Sequence, residues 1–124
     1  MKTKAFDLIV CRIDVEETLG ALQKRILERF PRIAAKNANG IMNCFMALAD
    51  EDYSYVLIVT SWHRINAAHH MVGRLRMAGV PVHYVFVYAL APGDSSKRLQ
   101  VFENDFAQGQ EDAMLEKLGH LLAD

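Results

Sequence analysis

Residues 41–61 read IMNCFMALADEDYSYVLIVTS, two apolar runs separated by an acidic turn. Ile41–Leu48 and Tyr53–Ser61 are each long enough for a strand, and only Ala49–Asp52 joins them. A crossover between parallel strands needs about a dozen residues or more. The two runs are therefore predicted to pair antiparallel, as a hairpin. That pairing governs the fold expected for the rest, because it excludes a simple doubly wound sheet in this half of the chain.

Upstream, Phe6–Ile13 sets Phe6, Leu8 and Val10 against Ile9, Cys11 and Ile13. Apolar residues on both faces mark a strand covered on both sides. Asp14 with Glu17 forms a capping box for a helix whose stripe is Val15, Leu19, Leu22, Ile26 and Phe30, ended by Pro31. Asn37-Ala38-Asn39-Gly40 carries the chemistry of a loop. Downstream, Asn66 is expected to cap a second helix that ends at Gly79, with Ala68, Met71, Val72, Leu75 and Ala78 buried. Val82–Leu90 is again apolar on both faces, and Pro92-Gly93-Asp94 closes the unit. The predicted order is βαββαβ, an α+β ferredoxin-like sandwich over residues 1–94.

Residues 95–124 then form a C-terminal helical extension. Leu99, Phe102 and Phe106 predict one short helix, and Met114, Leu118, Leu121 and Leu122 another. Neither buries its stripe alone, so the extension is expected to pack on the domain or on a partner subunit. In a ferredoxin-like unit the helices cover one face of the sheet. The other face, also apolar, predicts a homodimer in which a second copy covers it.

The 124 residues fit one domain, and 52% hydrophobic against 23% charged residues is the balance of a globular chain. A net charge of −1 supplies no field for nucleic acid or acidic membranes. The basic residues Lys24, Arg25, Arg29, Arg32 and Lys36 lack interleaved aromatics and read as a solvated face. No apolar run reaches the roughly 20 residues of a membrane span, and the first residues lack the apolar core of a signal peptide. Cys11 and Cys44 have no CxxC spacing and read as buried reduced thiols. A cytoplasmic protein with neither membrane nor nucleic-acid partner is expected.

Several of these features carry a resemblance. Asn39-Gly40-Ile41, the acidic turn and Tyr55–Trp62, followed by a His-bearing helix, resemble the dimeric α/β-barrel superfamily, in its antibiotic-biosynthesis-monooxygenase-like branch. The resemblance covers about Phe6 to Leu90 and implies two sheets facing each other around a barrel. It further implies a hydrophobic or aromatic ligand, and cofactor-independent monooxygenase or haem-degrading chemistry, with haem possible but not required. The catalytic residues it implies are Trp62 and a histidine of the following helix, where His69 or His70 stands; His70 is the one assigned. Separately, Val56–Tyr88 resembles the strand–helix–strand of sulfur-relay proteins of the DsrE type.

Each candidate residue has a bland reading beside the functional one. His69 and His70 project about 100° apart on a helix and cannot readily share one ion, so His70 reads as a single axial ligand or base, with Arg74 one turn on. The alternative is a solvated helix edge. Trp62 either walls an aromatic pocket or seals the sheet edge, and His63 follows it in a loop. Asn43, taken as a strand residue, and Tyr55 are the remaining ligand-binding candidates. Against an enzyme or ligand-binding barrel stands a second function: a non-catalytic interaction or sensor module.

Overall fold

In β1 (Lys4–Ile13), Leu8 and Val10 point to one side of the sheet and Ile9, Cys11 and Ile13 to the other, and all five are at most 3% exposed. Such a strand is paired on both edges. In the computed structural model β2 (Ala35–Asn39) runs parallel along one edge, and β3 (Asp52–Ser61) parallel along the other. The structure describes residues 4–13, 20–31, 33–61, 64–80, 82, 84–90, 105–107 and 109–122. Beyond β3 lie β4 (Val85–Leu90) and β5 (Asp105–Ala107), giving a five-stranded sheet in the order β2-β1-β3-β4-β5, parallel throughout. Among the described residues four helices accompany it: α1 (Gly20–Arg29), α2 (Ile41–Asp50), α3 (Ile65–Met77) and α4 (Glu111–Leu122).

The chain is a helix-and-sheet mixture, as expected, but the antiparallel hairpin and the ferredoxin-like order are not present. Ile41–Asp50 is a helix. After Ile41 the run holds no β-branched residue, and Met, Ala and Leu are among the better helix formers. Its buried positions, Cys44 and Leu48, lie four apart, which is helical spacing. A short apolar run looks alike in both periods, so length and neighbours had to decide, and they misled. Gly40, at φ 85°, turns the chain from β2 into α2, a backbone region open to glycine. The short acidic link therefore joins a helix to a strand. β2 falls on the stretch expected to be a loop, because an edge strand paired only to β1 needs little apolar character.

α3 buries Ala68, Met71, Val72 and Leu75 as expected and adds Ile65, while Ala78 is exposed. Asn66 lies inside the first turn, and Arg64 occupies the N-cap. At the other end the Gly79 N–H donates to Arg76 O (3.0 Å) and the Val80 N–H to Leu75 O (3.0 Å), a Schellman close with Gly79 at φ 83°. Arg76 then donates twice to Val82 O, tying this turn to the approach of β4. The capping box at Asp14 and Glu17, and Leu99 and Phe102, lie outside the described residues.

The C-terminal residues are part of the same sheet and core. Phe106 is in a strand, not a helix, and stacks on Phe86 with ring centroids 6.3 Å apart. Met114, Leu115 and Leu118 of α4 join Leu22 and Ile26 of α1 over Leu8, Val10, Leu57, Val59 and Phe86. The opposite face is covered by α2 and α3, through Cys44, Leu48, Ile65, Ala68 and Met71 on Ile9, Cys11, Val56 and Ile58. Both faces of the sheet are thus covered within one chain. The argument for a homodimer through a bare sheet face no longer applies, and the face expected to line a barrel is a packed core containing Phe86 and Tyr88.

Because α4 closes that second core, truncating it should be costly. Leu118→Ala, at a fully buried site, is expected to lower unfolding free energy by about 2–5 kcal/mol. Met77→Ala, on an exposed turn, should change it by less than about 0.5 kcal/mol. Urea unfolding followed by circular dichroism measures both.

Candidate functional site

In a parallel sheet wound in two directions, the crevice outside the strand carboxyl ends, where the order reverses, is the usual place for a ligand. Here the order 2-1-3 puts that point between the ends of β1 and β3. Thr60 is fully buried there, and its Oγ1 donates to Ile13 O (3.1 Å), closing the two strand ends together. The neighbouring Arg12 has a buried Nε with no hydrogen-bond partner. The residues that continue β1 and β3, 14–19 and 62–63, lie outside the described residues, and Trp62 and His63 are among them.

The other sequence candidates do not converge. On α3, His70 and Arg74 are exposed one turn apart and His69 is half-buried, so the two histidines diverge as the helical period requires. Tyr55 lies on the opposite face of the sheet, where its hydroxyl donates to Leu121 O (3.2 Å) of α4 and its ring sits 5.6 Å from that of Tyr84. Tyr55 and His70 therefore cannot border one pocket. Asn43 is on α2, not on a strand; its Nδ2 donates to Asn39 O (2.9 Å), a local bond across the turn into the helix. Among the described residues no group of three or more His, Cys, Asp or Glu side chains could hold a metal ion. No described helix is long and apolar enough to cross a membrane.

Most described polar networks brace the fold. Lys36 Nζ (3.3 Å) and the Tyr53 hydroxyl (2.9 Å) both donate to Glu51, linking β2 to the start of β3. The Tyr53 bond, then Lys36, holds the Glu51 carboxyl below its usual range, while burial pushes the Tyr53 phenol up. Glu111 accepts from the Tyr88 hydroxyl and from the Gly109 N–H (3.0 Å). Burial works to raise Glu111, but these donors prevail and lower it. Arg25 pairs with Asp112, joining α1 to α4. Cys11 and Cys44 are free, fully buried thiols, and a hydrogen bond to Cys44, then burial, pushes Cys11 up. The Cys44 thiol also donates to Ala38 O (3.5 Å).

One surface stands apart from this bracing. α2 presents Cys44 and Leu48 inward, yet its outward side carries Met42 and Met46, which are 69% and 55% exposed. Met42 and Met46 are one turn apart, with the half-buried Phe45 and Ala49 alongside. Only Asn43 and Asp50 are polar in the whole helix. At helical period Asn43 and Asp50, seven apart and both exposed, mark the outward side of α2, and Met42 and Met46 stand beside them there; reading the run as a strand concealed this.

These features define a class: a doubly wound parallel α/β domain, with the flavodoxin-like strand order 2-1-3-4-5 and two methionines exposed on the outer side of one helix. No protein family, curated protein or solved structure matches the chain.

The lowered carboxyls set the acid behaviour. An unfolded glutamate titrates near about 4.3, above the folded values of Glu51 and Glu111. Their contribution to stability is complete above that pH and is lost as pH falls through the folded values. Glu111→Gln should therefore lower the urea midpoint at about pH 7, with the gap to wild type closing towards about pH 3. By contrast, His70→Ala should leave stability within about 0.5 kcal/mol of wild type, as expected for an exposed side chain; thermal melts check this.

Proposed function

We propose that this chain is a protein-interaction module, and that the outward face of α2 is its recognition surface. The observation that carries the reading is the solvent exposure of Met42 and Met46, one turn apart on the outward side of α2. Clustered exposed apolar side chains mark contact surfaces, whereas single ones are ordinary. Methionine is enriched at such surfaces because its unbranched thioether adapts to a partner's shape. The rest of the molecule supports a rigid platform. Both sheet faces are packed, and α2 is anchored by Cys44 and Leu48 against β1, so the exposed row is held in place before any partner arrives. The ligand-binding barrel loses its support, because the sheet face that would have lined it is packed under α1 and α4.

Methionine oxidation reads this surface directly. Met77, 89% exposed, serves as an unprotected reference, and the buried Met71 and Met114 as protected ones. With dilute peroxide, Met42 and Met46 are expected to oxidise at rates near that of Met77 in dilute purified protein, and several-fold more slowly in the native cells. Equal rates relative to Met77 in both settings would overturn the proposal.

A further inference from the structure

We infer that the partner of the α2 face is a second copy of the same helix, packed antiparallel about a twofold axis at Met46. This rests on the interaction reading above and specifies it. Met42, Met46 and Asp50 stand at four-residue steps, so they form one exposed ridge. The ridge has its only charge at the wrong end for its own helix. Asp50 sits in the last turn, where the helix dipole is negative, while the first turn has no acidic residue and Gly40 offers no side-chain cap. The first N–H groups of the helix thus have no intrahelical acceptor and no side-chain cap.

An antiparallel copy corrects both ends at once. With Met46 on the axis, each residue four positions before it lies opposite the residue four positions after it on the partner. The Asp50 carboxylate of one copy then meets the N-terminal turn of the other, at Met42. A carboxylate at a helix N-terminus is the favourable arrangement, and the twofold makes it twice. Between these two contacts the row Met42, Phe45, Met46 and Ala49 is uncharged, so self-pairing brings no like charges together. A parallel pairing would instead set Asp50 against Asp50.

A single ten-residue helix per copy makes a small contact, below the roughly 1,200 Å² of standard interfaces, so the association is weak and concentration-dependent. Sedimentation equilibrium from about 10 μM to about 1 mM covers the range in which such a contact forms. The mass should rise from 14.0 kDa towards twice that value. Oxidation of Met42 and Met46 should slow over the same range while that of Met77 does not. Met46→Glu places two charges on the axis and should weaken association at least about tenfold; Asp50→Lys should weaken it severalfold, and circular dichroism should show both variants folded. A monomer at every concentration would refute the dimer. A dimer indifferent to Met46→Glu would place the contact elsewhere, and one weakened by Met46→Glu but not by Asp50→Lys would refute the antiparallel arrangement. In each of these cases, protection of Met42 and Met46 in cells would still leave the interaction reading standing with a different partner; its absence would remove that reading too.

Discussion

The structure depends on the parallel pairing of β1 with both β2 and β3. A parallel neighbour cannot be reached by a tight turn, so each step along this sheet requires a crossover on one face or the other. Starting from a central β1, the chain goes out through α1 to β2 and returns through α2 to β3 on the far side of β1. Those two crossings lie on opposite faces. The two cores follow from them: Leu8 and Val10 with α1 and α4, Ile9, Cys11 and Ile13 with α2 and α3. β1 is apolar on both sides because both sides are covered by its own chain.

The same constraint shapes α2. It must touch β1, and it does so with Cys44 and Leu48 at helical spacing, with the Cys44 thiol turned toward Cys11 and the carbonyl of Ala38. What it turns outward is free of that duty, and an isolated domain gains nothing from methionines there. The inner contacts explain why the helix is where it is. The outer residues are better explained by what binds the domain than by its folding.

The polar groups follow a similar division. Tyr53 with Glu51 and Lys36, and Tyr88 with Glu111 and Gly109, each set a phenol beside a carboxylate where a strand meets a neighbouring element. A buried hydroxyl needs an acceptor, and an ionised carboxylate supplies a strong one. These tyrosines therefore carry their partners with them and hold the sheet to its flanks. They are braces, and their titration bears on stability.

Much was legible from local pattern alone. The both-faced apolarity of Phe6–Ile13 and of the stretch ending at Leu90 located two central strands, and α3 with its glycine close at Gly79 followed from periodicity and turn chemistry. Those features are settled within a few residues of themselves. The character of Ile41–Asp50 was not, because a short, mostly apolar run satisfies both periods until its neighbours choose. The choice was made at long range: Ala35–Asn39, weak as a strand by composition, pairs with β1, and this obliges the next segment to be the crossover. Strand or helix there decides hairpin or parallel sheet, and with it whether one face or both are covered. The sequence by itself determined which segments are apolar enough to be buried. Only the tertiary structure decided which faces they share, since the sheet order depends on pairings between residues far apart in the chain, which no local window contains.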